Sequence, residues 1–393
     1  MPDFCFDQTA DHRKDGSYRW EQPAGRSDVI GMDTADLDFE CPPCLREALR
    51  PIVEENTYNY RRLSEGYFRA VEDWYSRTYG LRIEREWLFS VPGTLAAVRL
   101  ALGLFMKPNS QVILQCPSFG PIRRMISLSG CRVLRNPMTP VRGHFEIDFE
   151  DFEQKVREER PAAFVLVNPQ NPTGRVFTKQ ELARLASICA RYSVPIISDE
   201  VHSLLTYGSH LHTPILAASA EARAVSIQIV SMSKGFNLMG LPHAIVAVAS
   251  PKLRERFAQA SQAHSFGYAV NACAAAAARS VLEGQADDWQ RQLRTYLLGN
   301  IDLALQFFER ELPAVRTYRP EAGFLLWLDC RGLGIRAEKL GEAFMEQAGI
   351  RLCNGLDFGP AGGGFVRMNI AVPRAVLEEA LGRIKKAFGR PSA

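Results

Sequence analysis

The sequence predicts an α/β fold: a mainly parallel sheet of the seven-stranded type flanked by helices, with a smaller α+β domain beside it. Three observations carry that prediction. Short runs that are apolar on both faces alternate with helical patterns from residue 87 to residue 198, as strands covered on both sides require. Polar clusters stand where four of the apolar runs end. After Pro251 the alternation stops, and the pattern turns first helical and then mixed.

Residues 1–42 lack periodicity and read as an extended arm contributing to the small domain and the active site. Residues 43–55 and 65–78 read as amphipathic helices, the first opened by prolines near its first turn. Strands follow at 87–91, 111–115, 163–167 and 195–198, interleaved with helices at 94–106, 121–129 and 179–192. A further apolar run, Ile229-Val230, leads into Ser231. The alanine run 274–278 belongs to helical sequence that continues to about residue 312. Beyond it come an apolar strand at 324–328, a helix at 337–347, a strand at 366–370 and a last helix at 374–388. The division that results is an arm (1–42), a large domain (43–290) and a small C-terminal domain (291–393). The glycines of 359–364 precede a strand and follow none, so they read as a loop bringing backbone close to the site and not as a dinucleotide fingerprint.

At 393 residues the chain has room for both domains. Its composition, 46% hydrophobic and 23% charged, is that of an ordinary soluble protein. A net charge of +3 creates no demand for nucleic acid or an acidic membrane surface. The first residues carry charges where a signal peptide needs an apolar core, and no apolar run reaches membrane-spanning length, so a cytoplasmic location is expected. Nine scattered cysteines fit reduced thiols better than a disulfide framework. Cys41-Pro42-Pro43-Cys44 has no second pair. His210 and His212 lie in a loop read as having no carboxylate or cysteine nearby, and no metal site is expected.

The chemistry centres on Lys234. Of the nine lysines, it alone follows an apolar strand, through Ser231-Met232-Ser233, which is how a buried strand hands an amine to a phosphate-bearing aldehyde. Pyridoxal phosphate is the cofactor of that description. Its ring nitrogen needs an acidic partner, and Asp199 ends the apolar run Ile196-Ile197-Ser198. Its ring oxygen needs a donor: Asn171 lies in Asn168-Pro169-Gln170-Asn171-Pro172-Thr173-Gly174, a loop made rigid by its prolines, and His202 follows Asp199 by three residues. Its phosphate needs several donors, available where a helix begins at Gly93-Thr94 and from Ser231 and Ser233. Phe119 could stack on the ring.

Together these motifs resemble the fold-type I pyridoxal phosphate enzymes of the aspartate aminotransferase superfamily, and within it the cystathionine β-lyase group of the MalY/PatB type. The narrower signals are Ala35-Asp36-Leu37-Asp38-Phe39, Asp199-Glu200-Val201-His202, the stretch from Ser233 through Asn237 to Leu241, and Arg367-Met368-Asn369 running on to Pro373-Arg374. The resemblance implies that Lys234 holds the cofactor as a Schiff base and moves the substrate Cα proton. It implies that Asp199 pairs with the ring nitrogen, that Asn171 and His202 lie near the ring oxygen, and that Phe119 stacks. It further implies that Arg367 binds the substrate α-carboxylate with Asp36 and Asn171 nearby, and that Tyr60 crosses a homodimer interface to the neighbour's phosphate. Four positions depart from the pattern. Pro242 stands where many aminotransferases have a phosphate-binding arginine, which the lyase group also lacks; Asp33-Thr34 and Asn59 replace residues usual near the substrate.

The function expected is β-elimination from a cysteine S-conjugate, giving a thiol, pyruvate and ammonia. The alternative is an aminotransferase acting on a specialised amino acid, which shares every step through loss of the Cα proton. A third reading is a regulatory protein that uses the fold to contact a partner. An intact lysine site argues against a purely structural role.

Overall fold

Sequences such as Ala163–Val167 (AFVLV) and Ser226–Val230 (SIQIV) are buried at every position, because helices cover both faces of the sheet they join. The computed structural model describes residues 4–8, 11–23, 25–141, 144–267 and 270–389. Among these, eight strands form the large sheet, in the order Leu88–Val91, Ala244–Ala247, Ser226–Val230, Ile196–Asp199, Ala163–Val167, Gln111–Cys116, Arg132–Val141, His144–Ile147. Four consecutive pairings in the middle of that order are parallel. Ala244–Ala247 is antiparallel to both its neighbours, and His144–Ile147 returns antiparallel along the edge. Six strands therefore point one way, and their carboxyl ends form a single rim.

The eighth strand extends the seven-stranded type expected. It comes from a hairpin at Arg132–Val141 and His144–Ile147 whose first arm carries two prolines and mostly unburied positions, as an edge strand tolerates. The helix expected at 94–106 stops at Gly103. The stretch expected to be helical at 337–347 is a 3₁₀ turn, one α turn and a π turn in succession.

Local signals explain the other helix ends. Thr178 and Glu181 form a reciprocal capping box at the start of Lys179–Arg191, and Ser64 caps Glu65–Tyr79, which ends on Gly80 at φ 60°. The 25-residue helix Asp287–Glu311 leads from the large sheet to a four-stranded antiparallel sheet, ordered Arg316–Thr317, Leu325–Asp329, Phe365–Asn369, Cys353–Asn354. The arm is stitched to this C-terminal part. Ile30–Gly31 pairs with Ile350–Arg351, Asn369 N donates to Met32 O (2.8 Å) and Asp38 N donates to Ala371 O (2.9 Å).

A buried ion network ties the two parts together. Arg175 donates to Glu181 (2.9 Å) and Glu321 (3.0 Å), and Glu321 also accepts from Val176 N (2.7 Å). Arg175 and Glu321 are both buried, so removing one leaves the other as an uncompensated charge. Arg175→Ala is expected to cost about 3–5 kcal/mol, seen as a lower urea midpoint with an unchanged slope.

Candidate active site

The rim formed by the strand ends encloses a cavity of about 380 Å³. Val91 leads to Gly93 and Thr94, Val167 to Asn171, Asp199 to His202, and Val230 to Ser231, Ser233 and Lys234. All of these polar residues line the cavity, with Phe119 and Ala35. Gly93 has φ +102°, a conformation that favours glycine, and a Cβ there would meet Pro242 at 3.4 Å. Backbone can therefore approach a ligand where the helix Thr94–Gly103 begins.

Lys234 sits in a four-residue helical turn closed by Asn237 in the left-handed conformation. Its Nζ donates to Ala35 O. Burial lowers its pKa from 10.5 to about 8; Asp36 and Asp199 oppose that shift and Arg367 adds to it. Asp199 is pushed from 3.8 up to about 7, again chiefly by burial. The single hydrogen bond to its side chain among the described residues is from Val201 N–H (3.2 Å). Burial, with Lys234 and Arg367 nearby, drives His202 down to about 3, so its imidazole is neutral at physiological pH.

Arg367 projects from the strand Phe365–Asn369 and is 4% exposed. Its partners are neutral: Asn171 Oδ1 (3.1 Å), Asp33 O (2.7 Å) and Cys353 Sγ (3.3 Å), and its Nε has none. A guanidinium buried this way is short of a counter-ion. Because Asn171 gives its oxygen to Arg367, its amide N–H groups are left to face the cavity. The loop Gly355–Phe358 closes in beside Phe119: Ser118 N donates to Phe358 O (3.0 Å), and a Cβ on Gly120 would lie 2.6 Å from Asp357 O. The glycines of 359–364, expected to bring backbone close to the site, follow this loop and do not themselves line the cavity.

Several residues behave differently from expectation. Ser231 Oγ lies 2.7 Å from its acceptor His243 O and 3.1 Å from Ser233 Oγ; a hydroxyl has one proton, and the shorter contact takes it, so Ser233 keeps the freer donor. Asp36 turns its carboxylate to Arg19 (2.8 Å). Tyr60, expected to reach a neighbouring subunit and not its own site, is 91% exposed and lies outside its own chain's cavity. The reading of His210 and His212 is corrected: His212 Nε2 lies 2.8 Å from the buried Glu200, and His210 Nδ1 lies 3.7 Å from Glu321. The chain folds these carboxylates onto the loop from positions that sequence distance hides. Among the described residues no group of three or more His, Cys, Asp or Glu is arranged to hold a metal ion, and all nine cysteines are free.

Sequence reasoning missed Arg19, Cys353 and His243. His243 sits beside Pro242 on the cavity wall, held by Tyr67 Oη (2.5 Å) and Ser90 Oγ (3.4 Å). No local signal marks any of the three, since each is defined by partners far away in the chain.

The chain matches the aminotransferase class I and II family over residues 27–384. It belongs to that family. It is 31% identical to cystathionine beta-lyase PatB of Bacillus subtilis, over 98% of this chain and 99% of that protein. Among solved structures it is similar to cystalysin of Treponema denticola, which contains pyridoxal 5'-phosphate (TM-score 0.93, 26% identity, 98% of this chain and 99% of that one). It is also similar to the PLP-bound C-S lyase of Staphylococcus hominis (TM-score 0.91, 28% identity, 98% of each chain). The fold is that of the fold-type I transferases. The cavity residues fit the same cofactor: a buried amine, a buried carboxyl lacking a cation, and the start of a helix at Gly93-Thr94 on the cavity wall.

Asp199 gives a test in the cofactor-free chain. Asp199 has a higher pKa folded than unfolded, so its contribution to stability is intact below pH 3.8 and is lost as pH rises through about 7. At pH 8 the buried charge is a penalty of up to about 4 kcal/mol. Asp199→Asn should therefore raise the melting temperature of the cofactor-free protein at pH 8 and leave it nearly unchanged at pH 4.

Proposed function

We propose that this chain is a pyridoxal phosphate-dependent carbon–sulfur β-lyase that cleaves cysteine S-conjugates of the cystathionine type to a thiol, pyruvate and ammonia. The observation that carries the reading is a buried amine and a buried carboxyl on the wall of one cavity, with a buried guanidinium short of an anion bonded to the cavity residue Asn171. The relatives named above supply the reaction class. Pro242 on the cavity wall, in place of an arginine, also favours the lyase over an aminotransferase.

Bound pyridoxal phosphate supplies an electron sink for the charge left when the substrate Cα loses its proton. Lys234 Nζ takes that proton; with its pKa near 8, the amine passes between free and protonated forms close to neutral pH. Arg367 holds the α-carboxylate in a bidentate pair, which fixes the Cα–H bond relative to Nζ. Asp199 keeps the ring nitrogen protonated, and a cation placed there returns its carboxyl to the ionised form. Asn171 and the neutral His202 serve the ring oxygen, and Thr94 and Ser233 serve the phosphate with the backbone at Gly93. Phe119 covers the ring. Departure of sulfur from Cβ gives the thiol, and water converts the three-carbon remnant to pyruvate and ammonia.

The working unit of this reading is a cytoplasmic homodimer in which Tyr60 reaches the neighbour's phosphate. Its support is that Tyr60, Tyr58 and Val53 are exposed on one segment of chain, outside the cavity.

The deciding experiment supplies purified yellow protein with L-cystathionine and no keto acid, and follows pyruvate and free thiol together. Equimolar release over many turnovers, absent in Lys234→Ala along with the visible band, is the expected result. A single turnover that resumes only when a keto acid is added would make the protein an aminotransferase. Arg367→Lys should raise the substrate KM at least about tenfold with the cofactor still bound, because an ammonium cannot reproduce the two parallel hydrogen bonds. Unchanged saturation would mean that the carboxylate is held elsewhere.

A further inference from the structure

The arm touches both cations of the site through its backbone. Asp33 O accepts from Arg367 Nη2 at 2.7 Å, and Ala35 O, on the cavity wall, accepts from Lys234 Nζ. Behind this stretch lies Arg19, 4% exposed. Its Nε donates to Asp36 Oδ1 at 2.8 Å, its Nη2 to Asp36 O at 2.9 Å and its Nη1 to Gly31 O at 3.1 Å. A planar guanidinium that holds both the side chain and the carbonyl of one residue fixes its orientation in a way a single ammonium does not. Asn369 Nδ2 donates to the same Asp36 O (2.8 Å) and to Thr34 O (2.5 Å). Ala35, between Thr34 and Asp36, is locked with them.

We propose that Arg19 is a positioning residue for Lys234: by clamping Asp36 it keeps that carboxylate off the amine and the Ala35 carbonyl on it, so that the amine remains available as a base. This deepens the reading of Lys234 as the proton acceptor and rests on it. The charged and titratable groups facing Lys234 are Asp36 from the arm, Asp199 and His202 from the strand end and the turn after it, and Arg367 from the small sheet. Of the two carboxylates, Asp199 is tied to Val201 N and Asp36 to Arg19. Even when clamped, Asp36 is the strongest influence holding a proton on the amine. Released, it would pair with Lys234 directly and remove the free base at neutral pH.

The test uses the full-length chain free of cofactor and reads the pH dependence of Lys234 acetylation by trace acetic anhydride, measured by peptide mass spectrometry. The midpoint of the parent protein is expected at about 8. Arg19→Gln should raise it by about one pH unit or more, and Asp36→Asn should lower it. In the Asp36→Asn background Arg19→Gln should have no further effect, because Arg19 acts only through that carboxylate. Arg19→Lys keeps the charge without the fork; it should fall between parent and Arg19→Gln, and it replaces Arg19→Gln in the cycle if that variant does not fold. A midpoint unmoved by either Arg19 substitution, or moved equally with and without Asp36, overturns the proposal. A parent midpoint at the ordinary lysine value instead overturns the assignment of Lys234 on which it rests.

Discussion

Desolvation of charge around one cavity is the constraint on which the rest of the molecule depends. Lys234, Asp199 and Arg367 are all withdrawn from water, and none has a full counter-ion within hydrogen-bonding distance. An unpaired ion in a dry interior costs several kcal/mol. In the cofactor-free chain the penalty is moderated by dipoles: Ala35 O on the amine, Asp33 O on the guanidinium, Val201 N–H on the carboxyl. The site is thus built for ligands that bring what it lacks, an anion for Arg367 and a cation for Asp199.

The scaffold meets this constraint through strand direction. Four of the six strands of one polarity deliver Gly93, Asn171, Asp199 and Lys234 from their carboxyl ends. The strand Ala244–Ala247 runs the other way, so it is its beginning, not its end, that lies at the rim, and this brings Pro242 and His243 to the same cavity. The reversal is why a position eight residues beyond Lys234 can face the cavity at all. Arg175 and Glu321 then hold the 168–176 loop, which bears Asn171, against the C-terminal part, which bears Arg367.

The parts legible in the sequence are those whose causes are local. A strand buried on both faces is a run of apolar residues, and a loop with two Asn-Pro steps is rigid in any context, so the rim at Asn171, Asp199 and Lys234 could be read without coordinates. The edge strands Arg132–Val141 and His144–Ile147 escaped because the pattern of the first is polar and proline-bearing. Arg19 escaped for a different reason. An arginine in an aperiodic arm looks solvated, and only the return of Gly31 and Asp36 around it creates the pocket that buries it. Glu200 and His212 are the same case, twelve residues apart and joined by a buried hydrogen bond.

The arm also links substrate binding to the chemistry. In the proposed reading a substrate carboxylate would meet an Arg367 whose Nε is unpaired and whose Nη2 holds only neutral partners, Asp33 O and Cys353 Sγ, and a charge-assisted pair is strong enough to displace a neutral one. Asp33 is two residues from Ala35, whose carbonyl rests on Lys234, and the intervening Thr34 is fixed by Asn369. On the proposed roles of the two residues, a displacement at Arg367 would reach the amine through this short length of backbone. A ligand lacking the α-carboxylate would leave that carbonyl in place and the arm undisturbed. On that reading recognition of the carboxylate and readiness of the amine are properties of one segment, residues 31–36 of the arm, which Arg19 and Asn369 hold by hydrogen bonds and Arg351 by an ion pair to Asp33.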